Sequence, residues 1–330
     1  MHASTSASDA ALRGSTARPS RRPWWVWVLV VMFSLTAAVG LYYRRQIAAL
    51  LTHRKGPPST SVVVAPFPPG ERPDVRIAAV GDVGEGEEEE WRTAYSMTML
   101  ERGNPGYDAL LLLGDNVYPS GDPERLPYTV FQPFGILLDR GVPLYAILGN
   151  HDVAGGWGDE QMSDLGMPGR WWTDVIGDVR LVGLDADSLG DPAQTAFLER
   201  TLREAAEPWK IVAIHESPYS AGYQGSNLEV RRRYAPIFAR FGAQLVLSGH
   251  DHDYQRSRPI DGVTYIVTGA GGLTRGTGEE WFTEVSWAVL HFLDVNVFED
   301  HMLVRAIDQD GMAFDEVEIP LDVRIPLSPS

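Results

Sequence analysis

The sequence predicts an α/β sandwich over residues 74–330, on three observations. From Val75 to Leu247, short apolar runs alternate with helical stretches. Beyond that the pattern turns to strands alone, at Val263–Thr268, Trp287–Val297, Met302–Asp308 and Ala313–Ile319. Several early runs also stop at a side chain able to bind a metal ion.

Val75–Val80 is apolar and ends at Gly81-Asp82, as a buried strand does. Glu87–Arg102 reads as a helix whose acidic start, Glu87 to Glu90, suits the helix dipole and is expected to be solvated. Ala109–Leu113 is a second strand, Phe131–Arg140 a helical region, and Val142–Leu148 a third strand ending at Gly149-Asn150-His151-Asp152. Trp171-Trp172 is expected to pack a loop over the core. Val179–Leu184 is a strand, Pro192–Glu207 a helix begun by proline, and Lys210–Ile214 a strand ending at His215. Leu228–Phe241 reads as helical, and strand Gln244–Leu247 leads into Gly249-His250-Asp251-His252. Gly269-Ala270-Gly271-Gly272 reads as a tight turn, because no helix with a P-loop lysine follows it, and His291 reads as structural.

The N-terminal part differs in kind. Residues 1–23 form a basic tail, and Trp24 to Tyr43 is a charge-free run of about 20 residues, enough to cross a hydrocarbon core of about 30 Å as a helix. Aromatic residues lie near both of its ends, where amphipathic rings favour the interface. Arginines flank it equally, so charge does not orient it. Ser20-Arg21-Arg22-Pro23-Trp24-Trp25 resembles a bacterial twin-arginine export signal. The expectation is a single-pass signal-anchor with the body outside the cytoplasm. Residues 44–73, with six prolines, read as a stiff linker.

Composition narrows the chemistry. There is no cysteine, so thiolate metal sites and disulfides are excluded. Residues 1–73 hold nine Lys and Arg against two acids, which leaves −23 on residues 74–330 from a whole-chain −16. A body that acidic argues against nucleic acid as the main partner and for small substrates drawn to a local positive centre.

Asp82, Asp115, Asn150, His215 and His250 each stand at the C-terminal end of an expected strand, the rim where open α/β sheets bind ligands. Taken singly, Asp82 and Asp115 could equally cap helices, Asn150 could be a turn residue, His151 a surface histidine and Tyr118 a packed ring. His250 and His252 are spaced so that an extended segment would send both rings to one side. Within Gly114-Asp115-Asn116-Val117-Tyr118, a carboxylate and a phenol make a plausible ligand pair, and phenolate favours a trivalent ion such as Fe(III).

Gly81-Asp82, Gly114-Asp115-Asn116-Val117-Tyr118, Gly149-Asn150-His151-Asp152, His215 and Gly249-His250-Asp251-His252 resemble, in this order, the motifs of the calcineurin-like metallophosphoesterases. The tyrosine narrows the resemblance to the purple acid phosphatase branch, of the tartrate-resistant type. That resemblance implies a two-sheet β-sandwich flanked by helices, in α/β/β/α layers, with a dinuclear centre at one edge. It implies Asp82, Tyr118 and His252 on Fe(III), Asn150, His215 and His250 on a divalent ion (Fe, Zn or Mn), and Asp115 between the two. His151 would hydrogen-bond the phosphate or the leaving oxygen, and Asp152 would orient His151 or a ligand. Where the family often has a second histidine after His215, this chain has Glu216. Glu216 could tune the pH dependence, act as an acid, or be a plain surface residue.

The function implied is hydrolysis of phosphate monoesters by a metal-activated hydroxide. A phosphodiesterase acting on nucleotides or lipid head groups is the alternative with the same site, and a non-catalytic metal-binding envelope protein a third.

Overall fold

The computed structural model describes residues 61–321, apart from 69, 102 and 103. The expected basic tail and the expected span 24–43 lie outside the described residues. Among the described residues, no helix is long and apolar enough to cross a membrane.

In chain order the elements are β1 (Val62–Val63), β2 (Val75–Val80), α1 (Glu88–Glu101), β3 (Ala109–Leu112), α2 (Gly135–Asp139), β4 (Leu144–Ala146), α3 (Asn150–Ala154) and α4 (Gly158–Asp164). There follow β5 (Trp172–Ile176), β6 (Val179–Leu184), α5 (Pro192–Glu204), β7 (Trp209–Ile214), α6 (Leu228–Arg233), α7 (Ala235–Arg240) and β8 (Leu245–Ser248). The last six strands are β9 (Tyr254–Ser257), β10 (Thr264–Thr268), β11 (Thr283–Trp287), β12 (His291–Val297), β13 (His301–Asp308) and β14 (Met312–Pro320).

Two mixed sheets result, ordered β1-β14-β13-β12-β2-β3-β4 and β11-β9-β10-β8-β7-β6-β5. In the first, β2, β3 and β4 run parallel, and in the second β10, β8, β7 and β6 do. Side chains alternate across a strand, so each central strand fills two cores. From β2, Ile77 and Ala79 face the inter-sheet core with Leu111, Ile211, Leu247 and Leu293. Ala78 and Val80 turn the other way, with Leu110 and Leu112, onto Met97 and Leu100 of α1 and Leu137 of α2. On the second sheet, Val182, Val212 and Val246 cover Leu198 of α5, Val230 of α6 and Phe238 of α7. The sheets are therefore buried on both faces, which is why β3 reads as an unbroken apolar run and β2 and β8 as apolar runs interrupted only by the buried, Asp294-paired Arg76 and the terminal Ser248.

Several expectations need correction. The stretch Trp287–Val297 is two strands in different sheets, since β11 pairs with β9 whereas β12 pairs with β2 and β13. Apolar alternation gives the period of a strand and not its partner. The Leu228–Phe241 helix breaks at Tyr234, because Pro236 has no N–H with which to continue the ladder. Val62 and Val63, read as part of the linker, pair with Ala313 and Met312 of β14. Trp172 lies in a strand, not a loop, buried with its indole N–H donating to Ala146 O at 2.8 Å. Of the acidic run, Glu87, Glu88 and Glu89 are exposed but Glu90 is fully buried. His291 is buried as expected, hydrogen-bonded to Thr268 and to Val289 O.

Candidate metal centre

The loops after β2, β3 and β4 meet those after β7 and β8. Three bonds tie the two sheets together there. Gly81 N–H donates to Thr268 O at 2.9 Å, His250 N–H donates to Asp82 Oδ2 at 2.8 Å, and His215 Nδ1 lies 2.7 Å from Leu113 O. The candidate ligands thus come from the rims of two facing sheets, not from the single rim expected.

On one side, Tyr118 Oη donates to Asp82 Oδ1 at 3.2 Å and lies 3.1 Å from His252 Nε2, which is itself 3.3 Å from Asp82 Oδ1. On the other, His215 Nε2 is 3.5 Å from Asp115 Oδ1, and the His215 and His250 rings meet edge-on at 5.1 Å. Asp82, Asp115 and His215 offer ligand atoms that all lie within 4.8 Å of one another. Asn150 heads α3 beside them, and His151 donates its backbone N–H to Asp115 Oδ1 at 2.9 Å. The His151 ring is fixed through Nδ1 to Pro119 O at 2.8 Å and packs edge-on against Tyr118.

Three of the candidate ligands sit in an unusual backbone conformation, and the glycines before Asn150 and His250 are required by crowding. Asp82, Asp115 and His250 hold φ of 59°, 53° and 70°, a left-handed region that side chains rarely adopt and that Asn, Asp and His enter more readily than most. His250 and His252 therefore do not sit on an extended segment, and their rings serve different neighbours. A Cβ on Gly149 would stand 2.2 Å from Asp115 Oδ1, and one on Gly249 2.4 Å from Asp82 Oδ2. Only glycine lets the facing loops approach both carboxylates.

The electrostatics call for a cation. Asp82 and Asp115 are buried, and their only ion-pair partners among the described residues are histidines. Burial pulls the His215 imidazole down, but Asp115 more than offsets it and raises it to about 10. Burial, helped by His215, lowers His250 to about 3. Burial, then Asp82 and Asp115, push the Tyr118 phenol far above its usual range. Among the described residues the buried atoms Asn150 Oδ1 and His215 Nε2 have no hydrogen-bond partner. Unpaired carbonyl oxygen, imidazole nitrogen and carboxylates in one place form a donor set that fits hard or borderline cations.

Asp152 braces this arrangement. Fully buried, it accepts N–H bonds from Asn116, Val117 and Gly149, and a further one from Asn116 Nδ2, all within 3.1 Å. It joins the Asp115 loop to the Asn150 loop rather than touching the His151 ring. Burial, then Asp115, raise its carboxyl to about 7. Glu216 is half-buried and takes a hydrogen bond from Asn227 Nδ2, while Asn227 Oδ1 caps α6. The sequence reading gave no role to Asn116 or Asp251. Asp251, buried between two histidines, accepts Ser220 Oγ–H at 2.5 Å, Gln224 N–H at 2.6 Å and Gly225 N–H at 3.1 Å. Its place inside Gly249–His252 was the one available signal.

The sequence profile described as calcineurin-like phosphoesterase matches residues 75–254, from the start of β2 through every candidate ligand. The chain belongs to this family. Tartrate-resistant acid phosphatase type 5 of the rabbit, Oryctolagus cuniculus, is 27% identical over 249 residues, 63% of this chain and 76% of that protein. Purple acid phosphatase PPD1 from yellow lupin seeds aligns with a TM-score of 0.62 at 18% identity, over 78% of this chain and 55% of that one. GAP50, the anchor in the inner membrane complex of Plasmodium, gives 0.65 at 14% identity, over 76% and 90%. At those identities the two solved structures speak for the fold alone. Membership of the calcineurin-like phosphoesterase family, with acid phosphatase relatives, supports a metal-dependent phosphatase.

Proposed function

We propose that this calcineurin-like phosphoesterase hydrolyses phosphate monoesters at a dinuclear centre. Asp82, Tyr118 and His252 would hold a ferric ion, Asn150, His215 and His250 a divalent ion, and Asp115 would serve both. The observation that carries the reading is the meeting of Tyr118, Asp82 and His252 within 3.3 Å, beside a second group that includes the unpaired Asn150 Oδ1.

Bound there, two cations would offset charge on the phosphoryl oxygens and acidify a water to the attacking nucleophile. The protein's own part is positional. His215 is aimed by the bond from its Nδ1 to Leu113 O, which leaves Nε2 as the ligand atom. Asn150 offers a neutral oxygen, so the site keeps less negative charge against an incoming phosphate. His151, held by its Nδ1–H on Pro119 O, stands beside Tyr118 and Asp115, and its Nε2, when protonated, would donate to the phosphate or the leaving oxygen.

The test is purified protein assayed on matched monoester and diester substrates, with metal content and visible absorption measured on the same sample. Monoester turnover and iron in the protein support the reading. Faster diester turnover would make it a phosphodiesterase, and no turnover of any activated ester at any pH would leave a non-catalytic metal-binding protein. We further propose, on the sequence of residues 24–43, that the phosphatase is held at a membrane with its catalytic domain outside the cytoplasm. Membrane fractionation with protease accessibility of intact cells tests this.

A further inference from the structure

The two flanks of the candidate centre differ in charge. On the His215 flank, Asp185 caps and Asp187 lies within the short turn Ala186–Ser188, which packs against α3, and Glu216 lies near Asp187. The cation on that flank, Arg170, is already shared between Asp159 at 2.6 Å and Asp185 at 3.5 Å. Asp185, Asp187 and Glu216 therefore disfavour an anionic group there.

The His252 flank carries Arg275. Its backbone N–H donates to His252 O at 2.7 Å, which fastens it to a candidate metal ligand. Its side chain is exposed, and among the described residues it has no carboxylate within ion-pair distance. The guanidinium lies over the ring of Tyr223, 5.3 Å from its centroid. Tyr223, 38% exposed, belongs to a loop whose next two backbone N–H groups, Gln224 and Gly225, are held by Asp251. Both members of the pair are therefore tied, through short covalent stretches, to the two residues Asp251 and His252. A guanidinium stacked on a ring is pre-oriented, with its donor edges left for a planar anion.

Resting on the monoesterase reading above, we propose that Arg275, backed by Tyr223, is a specificity residue that binds an anionic group on the leaving alcohol. The substrates it favours are phosphate esters carrying a second anionic group, a carboxylate or another phosphate. On a body of net charge −23, an arginine anchored to His252 and without an acidic partner among the described residues gives such esters a favourable side of approach.

Three esters with a common backbone separate the possibilities: glycerol phosphate, phosphoglycerate and glycerol bisphosphate. Wild-type protein is expected to prefer one or both anionic esters in kcat/KM, and the preferred one names the group bound. Arg275→Ala should shrink that preference about tenfold, as loss of a charge-assisted hydrogen bond does, and Arg275→Lys should restore part of it. Calorimetric binding of phosphonopropionate against propylphosphonate reads the same ratio without turnover. A preference equal in wild type and Arg275→Ala, or absent in the wild type, overturns the inference and leaves the phosphatase reading standing. Wild-type protein inert on all three esters and on activated esters overturns both.

Discussion

The phenolic oxygen of Tyr118 lies 3.2 Å from Asp82 Oδ1, two side chains brought together from the ends of adjacent parallel strands. Without a cation, burial and then the Asp82 carboxylate keep the phenol protonated. A trivalent ion between them would reverse that, taking the phenol as phenolate. Tyr118→Phe is expected to abolish a visible charge-transfer band while the protein still binds two metals per chain. Absorption spectra and metal analysis of wild type and variant check it. A colourless, active wild type containing only Mn or Zn would overturn the ferric assignment alone.

Asp152 joins two ligand loops through four N–H donors. Asp152→Ala leaves the backbone N–H groups of Asn116, Val117 and Gly149 buried and unpaired, at about 1–3 kcal/mol for each one that finds no water, while Asn116 Nδ2 keeps Ile147 O and Gln161 Oε1. Metal affinity should fall about 10–100-fold, the usual cost of losing a supporting contact behind the ligands. Competition titration with a chelator measures it, and unaltered affinity would mean that the loops hold themselves.

Glu90 predicts a pH dependence of stability. Burial above all raises its carboxyl from 4.5 to about 9, opposed by the bond from Gly86 N–H and by Arg125, and aided by Glu85. The folded state therefore keeps a proton that the unfolded chain gives up. The stability tied to that proton is complete below pH 4.5 and is lost progressively as pH rises to about 9. At about 1.4 kcal/mol per unit, up to about 3 kcal/mol is missing at neutral pH. Glu90→Gln should melt higher than wild type at pH 8 and equally at pH 4. Thermal melts across this range, with Glu89→Gln as the exposed control, decide it.

Glu216 is held by Asn227, and glutamine can accept the same hydrogen bond. Glu216→Gln therefore removes charge with little change of shape. A carboxylate nearby makes other acids harder to ionise, so its removal should move the acid limb of the pH–rate profile to lower pH, by less than about one unit. A superimposable profile would confine Glu216 to fastening α6.

Much of this protein is set by the chain alone. β2 and β6 fall on the residues their apolar runs predict, and five candidate site positions, Asp82, Asp115, Asn150, His215 and His250, follow from where such runs stop, with Tyr118, His151 and His252 added by the motifs around them. Buried parallel strands are continuous apolar segments ending at a polar loop, a local property that needs no partner. What the chain did not contain was the pairing. That Trp287–Val297 divides between two sheets, that Glu90 leaves its acidic run for the interior, and that the linker's valines join β14 all depend on distant neighbours. The same holds for the centre. Tyr118 and His252 stand 134 residues apart and 3.1 Å from one another because the rims of two separate sheets face each other there. Residue identity chose the possible ligands, and sheet packing decided which of them stand together.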